Sequence, residues 1–280
     1  MRHLVAYFGN EPENLACALF SARTALYARG SASMPEGYGL GFVQGGDVLL
    51  QKRPRAETVE VDLYNLVKDT RAEALVGRVG LGHDGSTPAE DADPFRFRSW
   101  LFGSIAEMDP GVFEGIRERI LESTPTFLRR NIRGHAPSEH FFHLFLAFLH
   151  DAGILDQPTP APTAVHAALR NSLTFVDRLL AEAGAPPLEI ALAATNGRCF
   201  VAAGCAYPIR YLAIEGISDC PVCQAKHDAT RNGRRVPHEA LRALVVEANR
   251  EVAKRPGWHE VADRCAVLAG PDRTPQTLAL

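Results

Sequence analysis

Met1-Arg-His-Leu-Val-Ala-Tyr-Phe-Gly9, at the start of the chain, is a short apolar run that ends at a glycine. This pattern predicts a buried β-strand over Leu4–Phe8. A strand placed so early leaves no room for a secretory segment and brings the first residues beside the core. That layout is typical of enzymes in which the first residue is the nucleophile and its freed amine is the general base.

The composition is that of an ordinary globular protein. Of 280 residues, 46% are hydrophobic and 22% are charged, and the formal net charge is −3. The chain has no excess of positive charge, and no apolar run approaches the roughly 18 residues of a membrane span. We therefore expect neither a nucleic-acid partner nor membrane insertion. Six cysteines without a secretory segment indicate reduced thiols in a cytoplasmic protein.

Strand and helix patterns follow one another in separate blocks along the chain. Two apolar runs around Gly45-Gly46 predict a β-hairpin. Three further strands are predicted at 188–194, 199–203 and 209–214. Residues 163–183 carry apolar side chains at helical spacing and predict a long helix, whereas 241–246 fits a helix or a strand. Antiparallel strands with segregated helices indicate an α+β fold.

Several short segments together carry a resemblance to a known family. They are Leu4–Gly9, Gly37–Gly41, Glu90–Phe95, Trp100–Phe102, Arg133-Gly134, Ser138-Glu139 and the region from Trp258. In this order they resemble the class II glutamine amidotransferases along the whole chain. The resemblance implies a four-layer αββα sandwich of two antiparallel sheets flanked by helices. It also implies a strand at 241–246 and a single domain over residues 1–280, with 216–237 as a loop insertion.

The positions that the resemblance assigns to catalysis are replaced in this chain. Arg2 stands where the family has its nucleophilic cysteine. Ser104, Ile105 and Ala106 stand where the family has His-Asn-Gly, of which the Asn side chain and the Gly N–H form the oxyanion hole. The Ile105 side chain has no donor, so at most the backbone N–H of Ala106 remains. We therefore expect no catalytic residue, only vestigial positions, at these four sites.

The positions that the resemblance assigns to glutamine binding are replaced as well. Gly80 stands where an Arg grips the α-carboxylate of glutamine, and Pro137 where an Asp binds its α-amine. The resemblance places a ligand pocket at Arg2, Arg78, Gly80, Asp91, Asp93, Pro137 and Ser138. The two arginines would suit an anion. Alternatively, they are solvated or form ion pairs beside the two aspartates.

These replacements favour a catalytically degenerate glutamine amidotransferase-like protein. Its scaffold would bind a small-molecule ligand or a protein partner. One alternative is an active amidotransferase or glutaminase with a relocated nucleophile, for which Cys17 lies near the start of the chain. A buried structural cysteine is the competing interpretation of Cys17.

The cysteines give a second chemical signal. Cys220-x-x-Cys223 has the spacing of a metal knuckle, and zinc is the cofactor that thiolates at this spacing would hold. The candidate ligands are Cys199, Cys205, Cys220 and Cys223, with His227 as a replacement for one of them. Reduced thiols or a disulfide would account for the same residues. A zinc-stabilised interaction module is therefore a third functional hypothesis, in which a basic cluster contacts an acidic partner. The cluster is Arg231, Arg234 and Arg235.

Overall fold

The computed structural model describes residues 2–23, 26–29, 37–53, 60–80, 88–223, 238–250 and 255–280. The strands among them are β1 His3–Gly9, β2 Tyr27–Arg29, β3 Tyr38–Gln44, β4 Asp47–Arg53, β5 Glu60–Asp62, β6 Ala74–Val79, β7 Phe95–Phe97, β8 Trp100–Glu107, β9 Glu189–Thr195, β10 Phe200–Cys205, β11 Ile209–Ile217, β12 His238–Ala248, β13 Trp258–Glu260, β14 Cys265–Ala269 and β15 Gln276–Ala279. The helices are a 3-10 turn at Pro12–Asn14, then α1 Leu15–Ser21, α2 Leu63–Val67, α3 Pro110–Glu122, α4 Thr126–Arg129, α5 Pro137–Asp151 and α6 Pro162–Glu182.

The first strand is the centre of a seven-stranded sheet. The order of this first sheet is β13-β11-β12-β1-β6-β3-β4, and every residue of β1 is buried. Both neighbours of β1 run antiparallel to it, with Leu4 opposite Arg78 on β6 and Ala248 on β12. The strand predicted from the opening apolar run is therefore confirmed, and its neighbours hold the residues around Arg2 in register.

The second sheet has six strands in the order β15-β14-β10-β9-β8-β7. Its neighbouring strands are antiparallel, and the pairing of β8 with β9 places Ser104 opposite Leu192. A separate two-stranded sheet joins β2 to β5. The strands predicted at 188–194, 199–203 and 209–214 are found as β9, β10 and β11.

Three apolar layers show how the sheets and helices pack. Alternate residues of β1, including Leu4 and Phe8, face Phe200 and its neighbours between the two sheets. The other set, including Val5 and Tyr7, packs with α1 and α2 on the outer face of the first sheet. Helices α3, α5 and α6 cover the outer face of the second sheet. This arrangement confirms the expected α+β sandwich of two antiparallel sheets between helical layers.

Two local predictions are refined by the structure. The segment 241–246 lies within strand β12, so the choice of strand over helix is confirmed. In the segment interpreted as a loop at 216–237, residues 216–217 belong to β11 and 221–223 form a helical turn. Residues 224–237, with His227 and the basic cluster, lie outside the described residues. Across the described ranges, no helix combines the length and the apolar character needed to cross a bilayer.

Candidate functional site

A pocket of about 200 Å³ opens where β1, β6 and β8 approach the start of α5. It is lined by Arg2, Arg78, Gly80, Asp91, Ala92, Asp93, Ser104, Ala106, Met108, Ala136, Pro137 and Ser138. All seven residues predicted for the ligand pocket are in this set. Positions that lie far apart in the sequence are therefore brought to one concave surface, as a binding site requires.

The cationic side of the pocket consists of two differently held arginines. Arg78 is buried, and its guanidinium donates to the carbonyl oxygen of Ser104 at 3.0 Å and to that of Val79. The Arg2 side chain is 36% exposed, and its Nη1 lies 3.4 Å from the Ala106 carbonyl oxygen. It also lies 3.9 Å from Glu107, a long and exposed pairing of little strength. The Arg78 side chain is thus held in place by backbone carbonyl groups, whereas the Arg2 side chain can reorient.

The buried acid of the pocket is Asp93. Its carboxylate accepts a hydrogen bond from the backbone N–H of Ser104 at 2.7 Å and from the Ser138 hydroxyl at 3.1 Å. Burial raises the pKa of Asp93 above its usual range, while the Arg78 guanidinium and these hydrogen bonds oppose the rise. Asp93 therefore joins β8 to the first turn of α5 beneath the pocket floor.

A glycine makes the approach of Asp93 to the first sheet possible. A Cβ on Gly39 of β3 would collide with the carbonyl oxygen of Asp93 and lie 2.8 Å from Cδ of Pro94. Only glycine leaves this space. The strands are thus closely packed at Gly39, beside the pocket.

The carboxylates of Asp91 and Glu139 hold the loop before α5 in place. Asp91 Oδ1 accepts the backbone N–H groups of His135 and Ala136, the latter at 2.8 Å. Glu139 accepts those of Arg133 at 2.9 Å and Gly134 at 2.8 Å. These charge-assisted bonds satisfy the N–H groups that precede a helix. Asp91 thus lines the pocket, but one of its oxygens is engaged in holding the loop.

The three positions on β8 that were predicted to be vestigial point to two sides of the strand. Ser104 and Ala106 line the pocket, whereas Ile105 is fully buried in the layer between the sheets. The N–H of Ser104 is already bonded to Asp93. Its hydroxyl is buried and makes no hydrogen bond to any residue that the structure describes. Ile105 therefore packs in the core and does not fill the pocket.

Solved structures share this architecture, although no protein-family model and no curated protein matches the sequence. A glutamine aminotransferase class-II domain protein from Silicibacter pomeroyi superposes with a TM-score of 0.61 at 15% identity, covering 99% of this chain and 98% of that one. A predicted glutamine amidotransferase from Pseudomonas aeruginosa gives 0.54 at 14%, covering 100% and 99%. Glutamine phosphoribosylpyrophosphate amidotransferase from B. subtilis gives 0.52 at 12%, covering 99% of this chain and 49% of that enzyme. The chain has the fold of the class II glutamine amidotransferases.

Within this amidotransferase fold, the six cysteines lie away from the pocket. Cys199 and Cys205 are buried between the second sheet and its helices. Cys220 and Cys223 follow β11 of the first sheet, where they meet Cys17 of α1 and His238 of β12. The structure therefore does not assemble the predicted set of Cys199, Cys205, Cys220 and Cys223. The reason is topological, because β10 and β11 belong to different sheets and lead to different layers.

The proximity of Cys17 to His238 was not predicted from the sequence. The Cys-x-x-Cys spacing identified half of the group, because those two residues are close in the chain. No spacing rule links Cys17 to His238, since their approach depends on α1 packing over the first sheet. A cysteine in a short helix beside an apolar face was the only signal, and that signal is typical of ordinary core residues.

Proposed function

We propose that this chain is a catalytically degenerate protein of the class II glutamine amidotransferase fold, which uses the old substrate pocket to bind a small anionic ligand. The observation that carries the proposal is the lining of the pocket. Arg2, at the position that the resemblance gives to the nucleophilic cysteine, shares one cavity with Gly80 and Pro137, at the positions of the two glutamine-binding residues.

The chemistry of amide hydrolysis argues for the loss of activity. The reaction needs a nucleophile with a base beside it and donors aimed at the developing oxyanion. A guanidinium group such as that of Arg2 offers only donors and can serve as neither nucleophile nor base. The Ile105 side chain offers no donor and is buried in the core. Glycine and proline at 80 and 137 have no side-chain group to hold the carboxylate and amine of glutamine.

A relocated nucleophile is not favoured. None of the six cysteines lines the pocket, and Cys17 lies on α1, which packs on the outer face of the first sheet. Arg2 extends β1 on the same side as Leu4, which faces the other sheet. The Cys17 thiol and the pocket are therefore on opposite faces of one sheet. The thiol would have to cross that layer to reach a bound amide.

The charges around the pocket support an anionic ligand. Among the described residues, the Arg2 guanidinium has contacts of 3.4 and 3.9 Å and can turn toward a ligand, while Arg78 presents a fixed positive charge beside it. Burial raises the pKa of Asp93, in the direction that weakens its repulsion of an anion. A carboxylate or phosphate group matches the planar donors of arginine. A pocket of about 200 Å³ limits the ligand to a small molecule.

Turnover and ligand binding test the two parts of this proposal separately. Purified chain is incubated with glutamine and, in parallel, with the inhibitor diazo-oxo-norleucine, and ammonia and intact mass are measured. We expect no ammonia above a heat-inactivated control and no covalent adduct. An adduct on any cysteine or on Ser138, or saturable ammonia release, would contradict the loss of catalysis.

Thermal shift with glutamate, citrate and inorganic phosphate tests the pocket. At least one of these anions is expected to raise the Tm of the wild type, and Arg2→Ala is expected to abolish the shift. The matched control is Arg170→Ala, which removes an exposed arginine from α6. Equal shifts in both variants, or none in the wild type with any of the three anions, would reject the anion pocket without restoring a catalytic role.

A further inference from the structure

Three thiols and one imidazole converge on the outer side of the first sheet. Ligand atoms of Cys17, Cys220, Cys223 and His238 all lie within 4.8 Å of one another. The Sγ atoms of Cys17 and Cys223 are 3.6 Å apart, and Sγ of Cys223 lies 3.4 Å from Nε2 of His238. Cys17 and Cys220 are 5% and 2% exposed, so the group is closed to bulk water on their side.

These separations fit a tetrahedral metal centre. Sulfur atoms bound to zinc at about 2.3 Å stand about 3.8 Å apart, and a sulfur and a nitrogen about 3.6 Å apart. The observed distances are within a few tenths of an ångström of those edges. A disulfide between Cys17 and Cys223 would instead need the sulfurs at about 2.05 Å. The two sulfurs therefore do not form a disulfide, and their separation is compatible with ligands around a shared centre.

The fold brings the four ligands together from three elements. Cys17 comes from α1, which packs against the first sheet. His238 is the first residue of β12 and pairs with Ile217 at the end of β11. Cys220 and Cys223 occupy the turn after β11, with the last of them in the helical turn 221–223. Both the sheet pairing and the helix docking therefore hold the group in place.

We infer that Cys17, Cys220, Cys223 and His238 form a zinc site. Three thiolates and an imidazole are soft donors that select zinc over magnesium or calcium. Binding releases the three thiol protons to solvent, because cysteine binds the metal as thiolate. Four protein ligands complete the tetrahedron and leave no position for water or substrate, so the ion is structural. It ties α1 to the β11–β12 connection, on the face of the sheet opposite the pocket.

Metal content tests the zinc site directly. The full chain is purified without chelators and with reductant, and zinc and iron are quantified by plasma mass spectrometry. We expect close to one zinc per chain in the wild type. Cys223→Ser and His238→Ala, at partly exposed positions, are expected to lose most of it. The matched control Cys265→Ser, at a partly exposed cysteine of β14, is expected to keep it.

A second measurement on the wild type covers the case in which a variant fails to fold. A thiol-specific mercurial should release the zinc stoichiometrically, and cobalt exchanged into the site should show the visible bands of a tetrahedral thiolate complex. Wild-type chain refolded with zinc that still binds far less than one ion would overturn the inference. So would iron in place of zinc, an intact mass lower by two hydrogens from a disulfide, or full zinc retention in Cys223→Ser.

Discussion

At Gly39 the absence of a side chain determines whether the pocket floor can form. A Cβ there would collide with the backbone of Asp93, which cannot retreat while its carboxylate is bonded to Ser104 and Ser138. We expect Gly39→Ala to lower the free energy of unfolding by about 2 kcal/mol, the usual cost of overpacking a tight site. Chemical denaturation measures this change in the free energy of unfolding.

Gly115→Ala is the matched control for Gly39→Ala. Gly115 lies in the exposed part of α3, and an added Cβ meets nothing within 4 Å. This substitution should raise the free energy of unfolding by up to about 1 kcal/mol, because alanine is the better helix former. Two variants of equal stability would show that Asp93 moves away from β3 at little cost.

Arg2→Cys tests whether the residue at position 2 alone would account for the proposed lack of catalysis. The variant places a thiol at the position that the resemblance gives to the nucleophile, whereas Gly80 and Pro137 still offer no side-chain group to bind glutamine. We expect its ammonia release from glutamine to remain at the level of the wild type, since nucleophile and oxyanion donors act together. A coupled ammonia assay measures this. Saturable turnover in Arg2→Cys would mean that the remaining pocket still binds glutamine productively.

Helix α5 contains a histidine whose protonation is linked to folding. His143 is buried against Phe97 and Phe142, and its Nδ1 lies 2.9 Å from the Glu139 carbonyl oxygen. Burial lowers the pKa of His143 to about 4, from an ordinary value of about 6.5. Between these values the unfolded chain binds a proton that the folded chain does not. The free energy of unfolding therefore falls as pH drops through this window.

His143→Asn removes the titrating group and keeps a donor for the Glu139 carbonyl. At pH 8 the variant reports only the structural cost of the change. We expect the stability advantage of the wild type to be about 2 kcal/mol smaller at pH 5 than at pH 8, at roughly 1.4 kcal/mol per pH unit below 6.5. Urea denaturation at both pH values measures it. An advantage that is the same at both would show that His143 is protonated within the folded protein.

Helices and strands were predicted best where the hydrophobic periodicity of the sequence agrees with the packing in the structure. Strand β1 was predicted from its apolar run, and β12 from the resemblance where periodicity was ambiguous. Helix α1 ends at Ser21, and Tyr27–Arg29 forms a strand that pairs with β5. Apolar spacing alone could not mark the end of α1, since Ala22 and Leu26 beyond it are buried in the same apolar cluster.

For the whole molecule, the layer order and the pocket lining could be predicted, but the thiol–imidazole group could not. The seven pocket positions came from short motifs that the fold places at strand and helix ends. The direction of Ile105 followed from strand alternation only once the sheet and its partner were known. The approach of Cys17 to His238 depends on how α1 docks across the first sheet, and such a contact leaves no local pattern in the sequence.

Phe200 packs between the two sheets, and its replacement tests whether they unfold together. Its ring is fully buried and stacks on Phe8 of the first sheet, with centroids 5.7 Å apart. The guanidinium of Arg273 covers the same Phe8 ring at 4.0 Å and donates to the Gly9 carbonyl oxygen at 2.8 Å. One layer therefore joins strands of both sheets to the segment before β15.

We expect Phe200→Ala to lower the free energy of unfolding by about 4 kcal/mol, because a large buried ring leaves a cavity. Leu49→Ala, at a side chain that is 47% exposed, should change it by less than about 0.5 kcal/mol. Native-state hydrogen exchange then measures the stability of each sheet separately. If the shared layer makes the two sheets one cooperative unit, Phe200→Ala lowers the free energy of opening of the amides in β1 and in β9 by the same amount. Loss confined to β9, with β1 unchanged, would show that the second sheet opens independently of the first.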